Sequence, residues 1–218
     1  KNKFRLNNKF IISYFDENAD DSNWSLSTIE EMKVKYKELA KFVLDNKDII
    51  VIIKTQFLKN IPTIMFPDDM QIFKAVNSGR FIEFNHLSTK NIIKKKIYFK
   101  NLSFRNIIMP MTASLMSDIT ISEKYGATTS IETAILGKRN IFINDKKFKT
   151  NLDKYFKKNI EFPSLKHALN RILNFKNKKH QRRRDRLGNW DIIMKKKLQI
   201  SNDLKNNFKQ KINKIINY

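Results

Sequence analysis

Between residues 117 and 144 the chain reads SDITISEKYGATTSIETAILGKRNIFIN: two short apolar runs separated by Gly126, the hydroxyl residues Thr128, Thr129 and Ser130, and the carboxylate of Glu132. If a helix starts near Thr128 or Thr129, its unbonded backbone N–H groups and positive dipole end favour an anion there. Gly126 lets a phosphate approach the backbone closely, and the three hydroxyls add donors. Glu132 repels phosphate but can accept hydrogen bonds from a ribose diol, as an acidic residue does in dinucleotide folds. Turn and acid together suit a nucleotide. The same residues also fit a plainer arrangement, in which Thr128 to Ser130 cap a helix, Gly126 serves the turn and Glu132 is a solvated acid.

The elements around this stretch must position it. KFIISYF (9–15) and DIIVIIK (48–54) read as strands, the second a continuous β-branched run of the kind covered on both faces. Between them Ser27-Thr28-Ile29-Glu30 reads as an N-cap with its capping-box Glu, and Ile29, Met32, Tyr36, Leu39 and Val43 recur at helical spacing. The alternation continues with a helix at DDMQIFKAVNSG, a strand at RFIEF, a short helix near MPMTASLMS, strands at DITIS and NIFIN flanking a helix at TTSIETAIL, and a helix at PSLKHALNRILNF. Strands alternating with helices predict an α/β fold: a doubly wound, Rossmann-like parallel sheet with ligands at the carboxyl ends of its strands. Lys54 ends one of those strands, either in solvent or facing an anion. Residues 1–175 are expected to form this domain, with 86–109 as an insertion. Residues 176–218 hold a basic segment followed by one or two carboxyl-terminal helices, in which Trp190, Ile193, Leu198, Leu204, Phe208, Ile212 and Ile215 recur.

The 218 residues include no cysteine, which excludes disulfides, thiolate catalysis and cysteine-ligated zinc. His86, His167 and His180 have no metal-ligand spacing, so no metal is expected. No apolar run is long enough to span a bilayer, and no leader peptide is evident, so a cytoplasmic location is expected. Because the chain begins at Lys1, residues upstream of it are expected. The net charge of +23 implies attraction to polyanions. Its densest cluster comprises Lys176, Lys178, Lys179, Arg182, Arg183, Arg184 and Arg186. This suits a solvated linker, an anionic membrane surface or nucleic acid. Sequence-specific nucleic-acid binding is disfavoured, since zinc-finger spacing, RNP-like aromatics and a helix-turn-helix are all missing from the sequence.

SDITIS…GATTSIETAILGKRNIFI resembles aDxxIS…G(S/T)(S/T)xxxEAxxxGKPxI in the carboxyl-terminal, donor-binding domain of GT-B glycosyltransferases that build bacterial surface and capsular polysaccharides. VIIK at 51–54 looks like the family's hhhKpHP strand end, and LGNWDIIM looks like a carboxyl-terminal segment of surface-carbohydrate proteins. The resemblance implies a nucleotide-sugar donor as substrate, with no separate cofactor or metal. Phosphate contacts fall on Gly126, Thr128 and Thr129, the ribose on Glu132, and phosphate charge on Lys54. It further implies a glycan or lipid-linked acceptor and an amino-terminal GT-B domain carrying the acceptor site and usually the base, while work at the inner membrane face is an expectation of the basic cluster. Two positions depart from the pattern: Thr55-Gln56 stand where Pro-His is frequent, and Arg139 replaces a Pro. Non-hydrolysing sugar-nucleotide epimerases share the motif and are the first alternative; a basic nucleic-acid-binding protein is the second. No catalytic residue is assigned. Asp16, Glu17, Asp20 and Asp21 follow the first strand and are the local candidates for a base, or else a solvated loop.

Overall fold

The computed structural model describes residues 9–16, 27–55, 62–84, 110–150, 153, 159–178 and 184–191. The insertion at 86–109, Gln56, the acids Glu17, Asp20 and Asp21, part of the basic cluster and the terminal helices lie outside the described residues. The chain divides into two compact units, Lys1–Met116 and Ser117–Tyr218.

The first unit carries β1 (Phe10–Phe15), α1 (Ile29–Asp45), β2 (Ile49–Lys54), α2 (Pro62–Met65), α3 (Met70–Asn77), β3 (Phe81–Phe84) and α4 (Pro110–Met116). Its strands are parallel in the order β3-β2-β1, with Phe10 opposite Ile49 and Val51 opposite Phe81. Every residue of β1 and β2 is buried, as the unbroken apolar run of β2 predicts for that strand. Successive side chains of a strand point to opposite faces. Ser13 donates its hydroxyl to the Ala113 carbonyl of α4 at 3.2 Å, while Tyr14 packs edge-on against Tyr36 of α1 with centroids 6.5 Å apart. Helices α4 and α1 therefore cover opposite faces of β1, which is the double winding expected from the sequence.

The apolar stripe of α1 is buried at Met32, Tyr36, Leu39, Ala40 and Val43. Its cap sits one residue later than the sequence suggests. Thr28 Oγ1 accepts the Glu31 N–H at 3.1 Å and Glu31 Oε2 accepts the Thr28 N–H at 3.0 Å, so the box is Thr28/Glu31 rather than Ser27/Glu30. Ser27 is buried in a β-bridge and cannot serve as the cap. The carboxyl end of α1 has no basic residue of its own, and Arg80 supplies one, donating to the Asn46 carbonyl at 2.8 Å and to the Val43 carbonyl.

The second unit carries β4 (Ile119–Glu123), a 3-10 turn (Lys124–Gly126), α5 (Ala127–Ile135), β5 (Asn140–Ile143), β6 (Glu161–Phe162) and α6 (Leu165–Asn177). Its strands are parallel in the order β4-β5-β6, with Thr120 opposite Asn140 and Phe142 opposite Glu161. The brief β6 and α2 have too few residues to leave a periodic signal. One face of β4 and β5 is apolar (Ile119, Ile121, Ile141, Ile143) and the other carries Thr120, Ser122, Asn140 and Phe142.

The segment after α6 docks on the start of β5. Trp190 is buried, donates its indole N–H to the Asn140 carbonyl at 3.0 Å, and meets Phe142 edge-on with centroids 5.3 Å apart. Gly188, at φ +65°, makes that approach: its carbonyl accepts from the Asn140 N–H at 3.0 Å, and a Cβ there would lie 3.0 Å from the same nitrogen. Gly188→Ala should therefore cost at least about 1–2 kcal/mol and lower the melting temperature by about 2–8 °C. An unchanged thermal midpoint would remove Gly188 from this role.

Candidate functional site

In the second unit the small-residue turn follows the carboxyl end of β4, as the sequence predicts. The helix begins at Ala127, slightly earlier than Thr128, because a 3-10 turn over Lys124–Gly126 leads the chain into it. Thr128 is exposed, and Thr129 and Glu132 are half-buried. These three lie within the first six residues of α5, where the helix dipole is positive. Burial pushes the Glu132 carboxyl above its ordinary pKa.

Ser130 does not join them at the surface. It is fully buried, and its hydroxyl hydrogen-bonds that of Ser122 on β4. Asn140 Nδ2 donates in turn to Thr120 Oγ1 at 2.8 Å and Ser122 Oγ at 3.3 Å, while Asn140 Oδ1 is buried with no hydrogen-bond partner among the described residues. Thr133 donates its hydroxyl to the Thr129 carbonyl at 2.8 Å. The inner face of α5 is thus keyed to β4 by the Ser130–Ser122 hydroxyl pair, which holds the helix that presents Thr128, Thr129 and Glu132.

Sequence reasoning missed Lys124, an unremarkable lysine in a lysine-rich chain. Its side chain is 1% exposed, and its ammonium meets Asp153 at 2.8 Å, Glu161 at 2.9 Å and the Phe148 carbonyl at 2.8 Å. Three acceptors match the three donors of an ammonium. Asn144, just beyond β5, donates to Glu161 Oε1 at 2.5 Å and to the Phe148 carbonyl at 3.0 Å, and accepts from the Phe148 N–H at 2.7 Å. The turn before α5, the loop after β5 and the start of β6 are therefore tied together through one cation. Only the side chain's partners could have revealed this.

The first unit places its ionisable residues at the carboxyl ends of its strands as well. Lys54 is buried, not in solvent; it donates to the Thr55 carbonyl at 2.7 Å, and burial lowers its pKa while Asp16 opposes that shift. Asp16, also buried, accepts from the Tyr36 hydroxyl at 2.8 Å. Burial, followed by Asp16 and Glu83, raises the Tyr36 phenol well above its ordinary value, so it stays a donor. Thr55 Oγ1 is buried with no hydrogen-bond partner among the described residues. Glu83 accepts from the Thr63 N–H at 2.8 Å and the Thr63 hydroxyl at 2.7 Å. Among the described residues no cluster of His, Asp and Glu could hold a metal ion, and no helix is long and apolar enough to cross a membrane.

No protein-family model and no curated protein matches the chain. Its structure is similar to a crystal structure described as a UDP-N-acetylglucosamine 2-epimerase from Listeria monocytogenes, with a TM-score of 0.50 and 10% sequence identity over 84% of this chain and 40% of that one. The chain thus spans well under half the length of the protein it matches. At that identity the likeness establishes the fold: a Rossmann-like, parallel α/β architecture of GT-B type.

Lys124→Met should cost about 1–3 kcal/mol, less than a fully buried pair because both carboxylates keep some access to water. Burial raises Asp153, but hydrogen bonds from Lys124 and Thr150 outweigh this and hold its carboxyl below the ordinary 3.8. Its stabilising contribution is therefore present above about pH 4 and lost as pH falls through the depressed folded value. Denaturant titrations from pH 7 to pH 2.5 should show a shallower acid-side decline in Lys124→Met than in the parent; identical slopes would refute the coupling.

Proposed function

We propose that this chain binds a nucleotide sugar and forms the donor-binding part of a glycosyltransferase of surface-polysaccharide assembly. The observation that carries the proposal is the grouping of Thr128, Thr129 and a partly desolvated Glu132 at the start of α5, beyond the carboxyl end of β4. Phosphate lies against Gly126, Thr128, Thr129 and the first amides of α5, and the ribose diol donates to Glu132. Ser130 positions the helix through Ser122.

In the transfer the acceptor hydroxyl oxygen bonds to the anomeric carbon as the bond from that carbon to the donor phosphate breaks. The hydroxyl proton passes to a base that is not assigned. The charge gained by the departing phosphate is stabilised by oriented dipoles and hydroxyls. A glycan or lipid-linked acceptor, an amino-terminal GT-B domain and contact with an anionic inner-membrane face complete the proposal. The likeness to the epimerase fold favours a second reading, sugar-nucleotide epimerisation, which product analysis without an acceptor separates from transfer.

A thermal-shift panel of nucleoside mono- and diphosphates tests the binding. At least one should raise the melting temperature at millimolar concentration, and a folded protein that responds to none rejects the reading. Glu132→Ala should weaken nucleotide binding by about 1.5–3 kcal/mol and leave inorganic diphosphate little affected. Equal losses would make Glu132 structural. Because its folded pKa is raised, nucleotide affinity should decline on acidification at higher pH than an ordinary glutamate would set.

A further inference from the structure

Beyond the carboxyl ends of β5 and β6 the second unit holds a cavity of about 550 Å³, walled in part by Asn144, Lys147, Phe148, Lys149, Asp153 and Glu161. Both carboxylates of this wall are committed to Lys124. That leaves the ammonium groups of Lys147 and Lys149, which have no hydrogen-bond or ion-pair partner among the described residues. The loop bearing them is preformed. Asn144 closes it by bonding both backbone groups of Phe148, and Lys147 is held at φ +55°, a conformation uncommon for a residue with a side chain. Phe148 is 39% exposed, and its ring centroid lies 5.9 Å from that of Tyr125 in the turn before α5.

A bare inorganic anion would leave most of this volume empty, since sites of about 300–1,000 Å³ take small organic molecules. The cations call for negative charge, and the exposed ring offers a face for an apolar surface such as one side of a pyranose. We propose that the cavity binds a sugar-sized ring carrying one carboxylate or phosphate, with the anion against Lys147 and Lys149 and the ring on Phe148. Through Lys124 and Tyr125 the cavity adjoins the turn assigned to the nucleotide phosphates. Resting on that reading, the ring is the sugar of the donor, and the site selects an acidic sugar over a neutral one.

Saturation-transfer NMR on the full chain with glucuronate, glucose 6-phosphate and glucose at equal concentration tests this. At least one anionic ligand should give signals at least tenfold stronger than glucose, and which one does identifies carboxylate or phosphate as the source. Lys147→Gln/Lys149→Gln should abolish that preference, while Lys147→Arg/Lys149→Arg, equally folded by circular dichroism, should retain it. Equal signals from all three ligands, no signal from any, or an unchanged preference in the glutamine variant would overturn the proposal. The nucleotide thermal shift is read separately. A nucleotide shift without the anionic preference sinks the cavity alone; the preference without a nucleotide shift sinks the nucleotide reading and leaves the cavity standing.

Discussion

Parallel strands covered on both faces leave no room for charge along their length, and this constraint organises the molecule. No residue of β1, β2, β4 or β5 escapes burial. An ionised side chain in the middle of such a strand would lose its hydration with nothing to replace it. The ionisable residues accordingly collect at the carboxyl ends: Lys54 closes β2, Glu123 closes β4, Glu83 is next to last in β3, and Asp16 and Lys124 stand one step beyond β1 and β4. Loops, helices and the start of β6 supply partners there.

How each charge is satisfied differs with its depth. Asp16 has the Tyr36 hydroxyl, Glu83 has both donors of Thr63, and Lys54 has a backbone carbonyl. Lys124, the most deeply placed cation among the described residues of the second unit, is matched donor for acceptor by two carboxylates and a carbonyl. Removing one partner of such a set strands the others, so the set behaves as a unit. Its structural consequence is a fixed relation between the turn before α5 and the loop after β5, the two segments that flank any ligand seated at this edge of β4, β5 and β6.

Hydroxyls and aromatic edges do comparable work away from the charges. Ser130 joins α5 to Ser122 of β4, and Asn140 joins β5 to Thr120 and Ser122 of β4, polar contacts in place of apolar bulk. Trp190 and Gly188 then seal the start of β5, the end opposite the candidate site. Rigidity at one end and polar groups at the other are compatible because the buried strands between them carry almost no polar side chains except on the Thr120/Ser122 face.

The sequence by itself determined the alternation of strands and helices. Unbroken β-branched runs and 3.6-residue periodicity are local signals, and all the main described elements from β1 to α6 follow them. It also marked the turn at Gly126 to Glu132, because small hydroxyl residues and a carboxylate between two apolar runs are unusual in a chain so rich in lysine. Tertiary structure alone decided which of these residues reach the surface. Ser130 reads like Thr128 in sequence, yet helical rotation turns it onto Ser122 while Thr128 faces solvent. It also decided which lysines matter: Lys54 and Lys124 are buried, whereas Lys147 and Lys149 line a cavity. One lysine looks like another in a sequence, because desolvation and partner geometry arise only when segments far apart in the chain are brought together.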